Sequence, residues 1–309
     1  MARDHGGNLA AAQAAFGGAP GDWCDLSTGI NPVPYPLPAF AETDWTALPD
    51  APAQQALLAA ARRFWDVPEG ADILAVPGCS AAIARMPGLM APARVQITGP
   101  TYNEHAAAFR AQGWEVCETE GSARVLVHPN NPTGAFHAAP GPAALTILDE
   151  SFCDIAPEQS LIHLATRPDV LVLKSFGKFW GLAGLRLGFV IGTPARIAAL
   201  SALMGPWAVS GPALRTGRAA LSDPDWAAAT RARLMRDAAR LDALVTATGA
   251  TLAGGTPLFR LYDCADAQAL QQRLARARIW SRIFPYSTRW IRLGLPAPDR
   301  WAQLEKALA

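Results

Sequence analysis

An α/β fold built on a mainly parallel sheet is predicted by three features of this chain. Short apolar runs alternate with helical stretches up to about residue 205, the later runs lack period-2 alternation, and several end in polar residues of unusual chemistry. Strands covered by helices on both faces read as continuous apolar runs. Strand–helix alternation is the mark of that layering.

The elements follow in order. Glycine and proline punctuate HGGN at 5–8, GGAPGD at 17–22 and STGINPVPYPLP at 27–38 too densely for regular structure, so residues 1–35 are expected to form a loop-like arm. Residues 53–65, AQQALLAAARRFW, combine good helix formers with an amphipathic pattern and predict a helix. From residue 72, DILAVPG and ARVQITGP read as strands, each followed by a helix, SAAIARMPGLM and TYNEHAAAFRAQG. RVLVHP, ALTILDE, DVLVLKSF and LRLGFVIG read as buried strands, completing a large domain over 36–205. Residues 206–309 are expected to form a smaller α+β domain: 211–246 is helical, and PLFRLYD and TRWIRLGLP are strand-like around the helix AQALQQRLARAR.

Composition narrows the function. Half the residues are hydrophobic and 17% are charged, which fits a globular protein with a large core. A formal net charge of +1 gives no electrostatic reason to expect nucleic acid or an anionic membrane as partner. The start shows no apolar core of signal-peptide length, and no stretch approaches the roughly 18 apolar residues of a membrane helix. Five scattered cysteines without CxxC spacing argue against a disulfide framework or a metal site and for a reducing cytoplasm.

Ligands of open parallel sheets sit beyond the carboxyl ends of the strands. Here those ends carry GCS, HPNNPTG, DES and KSFGK. The chain has three lysines, Lys174, Lys178 and Lys306. Lys178 lies past a strand among Phe176, Phe179 and Trp180, with Arg186 nearby, an apolar setting suited to a lysine that must be neutral to attack an aldehyde. Asp149 ends ALTILD, either as a helix cap or as the partner of a buried pyridinium nitrogen. Asn131 follows a buried strand and could donate to a phenolic oxygen. Gly78-Cys79-Ser80 offers backbone N–H groups and a hydroxyl to a phosphate. Ser175 and Arg186 can add a hydroxyl and a charge-assisted contact. Tyr102 opens a helix, either as a stacking ring or as a half-buried core tyrosine. Arg292, between hydrophobic neighbours in WIRLGLP, meets either an internal carboxylate or a substrate carboxylate, and Arg282 in WSRIF is a weaker candidate.

NNPTG, DES, SFGK, LRLG and a late arginine in IRLG, in that order, resemble the fold-type I pyridoxal-phosphate enzymes of the aspartate aminotransferase superfamily over nearly the whole chain. The resemblance implies pyridoxal 5′-phosphate as cofactor and a homodimer. It implies Lys178 as the cofactor-bearing lysine, Asp149 as the pyridine-nitrogen partner, Asn131 as the ligand of the phenolic oxygen and Tyr102 as the stacking ring. It gives Cys79, Ser80, Ser175 and Arg186 to the phosphate cup and Arg292 to the carboxylate clamp. RDHGGNL, DLSTGINPVPYP and SFGKFWGLAGLRLGF narrow the likeness to the threonine-phosphate decarboxylases of cobalamin biosynthesis. In that group the arm reaches the site, so His5 and Asn31 are implied as contacts to a substrate phosphate. The expected reaction is decarboxylation of O-phospho-L-threonine to (R)-1-amino-2-propanol O-phosphate. The alternatives are a histidinol-phosphate-type aminotransferase and a non-catalytic scaffold that keeps the fold.

Two departures from the aminotransferase pattern favour the decarboxylase. Phe152 stands where aminotransferases place a tyrosine that bonds the cofactor phenolate, and Leu48 stands where an early YPD segment has its tyrosine. The first change is expected to raise the pKa of the cofactor–lysine bond, and the second to remove a phosphate contact.

Overall fold

The computed structural model describes residues 5–309. A two-residue strand, β1 (Cys24–Asp25), precedes the main sheet. That sheet is built from β2 (Asp72–Val76), β3 (Arg94–Gln96), β4 (Glu115–Cys117), β5 (Ala123–Val127), β6 (Leu145–Asp149), β7 (Val170–Ser175) and β8 (Gly188–Gly192). Their order is β2-β8-β7-β6-β5-β3-β4, parallel throughout except that β8 runs antiparallel to both its neighbours. Every residue of β6 and β8 is buried, which is why these stretches are apolar without alternation. A core of Val76, Ile83, Val95, Phe109, Val125, Ile147, Leu173 and Val190 packs the helices Cys79–Arg85 and Asn103–Ala111 on one face.

The later strands are β9 (Thr251–Thr256), β10 (Phe259–Asp263), β11 (Ile279–Trp280), β12 (Arg282–Phe284) and β13 (Ser287–Gly294). Four of them form an antiparallel sheet ordered β12-β13-β10-β9, while β11 pairs in parallel with β1.

By packing the chain falls into two compact units. One comprises residues up to Pro34, Pro132–Gly134 and Ala228–Ala309; the other comprises Tyr35–Asn131 and Ala135–Ala227. Residues 206–227, expected with the smaller domain, pack instead with the main sheet, because the helix Gly211–Leu221 buries Leu214, Gly217, Ala220 and Leu221 and lies against the helix Ala51–Phe64. The arm is also more regular than expected. It contains the helix Leu9–Phe16, whose first turn is capped by the Asn8 side chain accepting the Ala11 N–H at 3.2 Å. Among the described residues no helix is long and apolar enough to cross a membrane.

Candidate active site

Strands β5, β6 and β7 are parallel, so their carboxyl ends meet at one edge of the sheet. Antiparallel β8 begins there, opposite the end of β2. The loops leaving this edge line a cavity of about 120 Å³. Lys178, Asp149, Asn131, Tyr102, Cys79, Ser80, Ser175 and Arg186 all line it, together with Phe152, Ser151 and Gly78. These eight predicted residues, scattered over more than a hundred positions, are thus brought to one cavity within one unit.

Asp149 is 2% exposed and is held from two sides. Its Oδ1 accepts the Ser151 N–H at 3.0 Å and the Ser151 hydroxyl at 2.5 Å, and its Oδ2 lies 2.7 Å from Nε2 of His105, itself fully buried. Burial pushes the carboxyl up, but the hydrogen bond and charge of His105 and the two bonds from Ser151 outweigh it and hold Asp149 below the usual carboxylate range. The cavity therefore has a fixed negative charge at one end. Sequence reading missed His105, although a signal was present: it lies one helical turn beyond Tyr102 and so shares its face.

Tyr102 caps the helix Asn103–Ala111 and meets His105 edge-on, with ring centroids 6.0 Å apart. Burial, then the charges of Asp149 and Glu104, push its phenol up to about 12, so it enters neutral-pH chemistry as an aromatic face and not as an acid. The Cys79 thiol is likewise pushed up to about 12, chiefly by burial, and donates to the Lys174 carbonyl at 3.1 Å. What Cys79 offers is its backbone. Ser80 is exposed at the mouth, and the Ser175 hydroxyl accepts the Gly177 N–H at 3.2 Å.

Arg186 sits in the left-handed region, φ 54° and ψ 52°, its Nη1 donating to the Ala183 carbonyl at 2.9 Å. Gly78 makes room for it: a Cβ there would come within 2.4 Å of Arg186 Nη2, and Gly78 itself has φ +80°. Gly78→Ala is expected to cost about 1–3 kcal/mol of backbone strain and to displace the guanidinium. Titration of the apoprotein with pyridoxal phosphate should then show affinity lowered by about tenfold or more. Unchanged affinity would mean that Arg186 does not hold a phosphate.

Lys178 is half-buried, its Nζ 5.3 Å from the centre of the Phe152 ring. Lys174, four residues earlier and within β7, has a different task. Its Nζ is 2.5 Å from Glu150 Oε2, and burial, which opposes its charge, is outweighed by Glu150 and then Asp154, so the ammonium is held above its ordinary range. His128, Glu150 and Cys153 bring ligand-type atoms within 4.8 Å of one another. His128 is already bonded to the Gln159 carbonyl and the His137 N–H, and Glu150 to Lys174, Ser160 and the Leu161 N–H, so this cluster is knit together by protein partners.

The four predicted substrate residues lie in the other unit. His5 is exposed; Asn31 is 2% exposed, its Oδ1 accepting from Arg233 Nη2 at 2.6 Å and from the Val33 N–H at 3.0 Å. Arg292 is buried, and its Nη2 donates to the Ser27 carbonyl at 2.7 Å, a backbone acceptor that sequence reading did not foresee. Arg282 in β12 is directly opposite Arg292 in β13.

The donor set fits a flat, phosphorylated, nitrogenous aldehyde: a carboxylate kept ionised, an amide, an aromatic face, hydroxyls with an arginine at a glycine, and a lysine. Residues 125–309 match the model of the family described as aminotransferase class I and II. A threonine-phosphate decarboxylase of a Sinorhizobium species is 41% identical over 96% of this chain and 93% of that protein. The chain belongs to the aminotransferase class I and II family.

A second relative, a threonine-phosphate decarboxylase of Pseudomonas aeruginosa, is 40% identical over 99% of this chain and 97% of its own. Among solved structures, histidinol-phosphate aminotransferase from Sinorhizobium meliloti in complex with pyridoxal-5′-phosphate superposes with a TM-score of 0.77. It is 21% identical, covers 87% of this chain and 83% of that one, and fixes the fold as that of the fold-type I enzymes.

Proposed function

We propose that this chain is a pyridoxal-phosphate-dependent carboxy-lyase that converts O-phospho-L-threonine to (R)-1-amino-2-propanol O-phosphate, a step of cobalamin biosynthesis. The observation that carries the choice of reaction is the near-full-length identity of 40–41% to relatives named for it. The cavity carries the cofactor chemistry. Lys178 would hold the aldehyde carbon, Asp149 the ring nitrogen, Asn131 the phenolic oxygen and Tyr102 a ring face. The Cys79 backbone, Ser80, Ser175 and Arg186 would hold the phosphate. When bound, the cofactor supplies a sink for the electron pair left at Cα. Asp149, ionised and locked by His105 and Ser151, would keep the proton at the ring nitrogen. Lys178 would be the group that gives a proton to the substrate's Cα. His5, Asn31, Arg282 and Arg292 bind the substrate's phosphate and carboxylate, and the pair of arginines suits a doubly charged group.

We read the working form as a cytoplasmic homodimer. Leu37, Trp45, Leu48 and Trp207 are 61–68% exposed. Leu48 and Trp207 line two adjoining hollows that share Pro49 and Leu214, an apolar patch suited to a second copy.

The test mixes cofactor-loaded protein with O-phospho-L-threonine and follows carbon dioxide and the visible spectrum. Carbon dioxide with the resting spectrum regained is the expected result; conversion of the cofactor to its amine form on histidinol phosphate, without carbon dioxide, would make the chain an aminotransferase. A second prediction concerns Phe152, which presents a bare ring to Lys178. Phe152→Tyr adds a hydroxyl to this wall and is expected to lower the pH at which the cofactor-bound protein changes colour. An unmoved or raised midpoint would remove Phe152 from any account of specificity.

A further inference from the structure

Five residues past Asp149 lies a buried carboxylate with no role in the site described so far. Asp154 is 3% exposed, and its two oxygens accept two different indoles: Oδ1 the Nε1–H of Trp65 at 2.8 Å, Oδ2 the Nε1–H of Trp180 at 3.0 Å. Trp65 follows the helix Ala51–Phe64, whereas Trp180 lies two residues past Lys178. A buried indole N–H seeks a partner, and an anionic acceptor gives a stronger, more directional bond than a neutral one.

Trp180 is fully buried and clamped on both faces. It stacks on Phe176 at 5.1 Å and on Trp226 at 5.4 Å, each at 11° between planes. Its carbonyl accepts the Tyr35 N–H at 2.9 Å. The intervening turn is closed by Gly181 N–H to the Lys178 carbonyl and Leu182 N–H to the Phe176 carbonyl, each at 3.1 Å. The rotation of this turn is therefore fixed where the indole N–H meets Asp154. The segment that bears Asp154 also bears Phe152, whose ring lies near Lys178 Nζ, and it begins at Asp149. One short stretch thus sets the ring-nitrogen partner, one wall of the lysine's surroundings and the anchor of its turn.

We propose that Asp154 is a positioning residue for Lys178, holding the Lys178 turn in register with Asp149 through the Trp180 indole. This rests on the reading of Lys178 as the cofactor-bearing lysine, so borohydride reduction of the loaded wild-type protein and mapping of the modified peptide come first. Modification elsewhere than Lys178 would overturn that reading independently of Asp154.

The decisive comparison is Trp180→Phe against Trp65→Phe. Each removes one hydrogen bond to the same carboxylate and keeps a ring in place, but only Trp180 is tied to the lysine. Both should lower the melting temperature to a similar extent. Trp180→Phe alone should weaken the visible circular dichroism of the bound cofactor, which reports its orientation. It should also lower kcat by about 10- to 100-fold with little change in KM, as a displaced reacting group does. Asp154→Asn, of equal size, should follow Trp180→Phe. Equal effects of the two tryptophan variants on dichroism and kcat, or no effect of Trp180→Phe and Asp154→Asn, would reduce Asp154 to a core contact and overturn the proposal.

Discussion

Lys178→Ala is expected to leave a folded protein that forms no reducible bond to its cofactor and loses about 10²- to 10⁴-fold in turnover from the missing proton-transfer group alone. The fold should survive because the turn is held by its backbone and by Trp180, not by the lysine: the bonds closing Gly181 to Lys178 and Leu182 to Phe176 are main-chain. No neighbour can substitute. Lys174 is committed to Glu150 at 2.5 Å and kept charged, and a protonated amine is no nucleophile. Borohydride reduction followed by peptide mapping, with carbon dioxide release measured in parallel, checks both halves. Retained label on another lysine, or turnover near that of the wild type, would end the assignment of Lys178.

The eight cavity residues could be read from sequence because chemistry and topology coincide there. Seven sit at or just beyond the end of a strand or at the start of a helix, where a parallel sheet places its ligands, and Arg186 sits just before antiparallel β8, which starts at the same edge. What escaped was tertiary. His105 reaches Asp149 across 44 residues and Asp154 reaches Trp65 across 89, and no periodicity encodes such pairings. Two elements were hidden by glycine. The helix Leu9–Phe16 is bracketed by GGN and GG, which read as loop but act as its ends: Asn8 caps its start, and its C-terminal Gly17 has φ 71°. Strand β9 contains Gly254-Gly255, which reads as a turn. A Cβ on Gly254 would come within 2.3 Å of the Thr133 carbonyl oxygen, and the Gly255 N–H donates to that same carbonyl at 2.8 Å. Here glycine marks close backbone approach within a strand, not a break in it.

Asp149→Asn should separate the carboxylate's two contributions, to chemistry and to acid stability. The substitution is nearly isosteric, and the amide oxygen can still accept from Ser151. The amide nitrogen then faces His105 Nε2, which can accept if the ring carries its proton on Nδ1, an atom with no partner among the described residues. The fold therefore holds while the charge is lost. Without that charge the ring-nitrogen proton is no longer held, and turnover should fall by about 10²- to 10³-fold, the scale of removing one preorganised electrostatic contact. The stability effect has a definite sign. Folding lowers the Asp149 pKa from its ordinary 3.8, so the ionised group contributes stability above about that pH and loses the contribution as pH falls through the lower folded value. The variant has no such group. Urea midpoints of the apoprotein measured from about pH 6 downward should therefore fall more steeply for the wild type than for the variant below about pH 4. Parallel acid limbs would mean that Asp149 is not held ionised by His105 and Ser151. Parallel limbs with turnover still lost would place its catalytic contribution in geometry and not in charge.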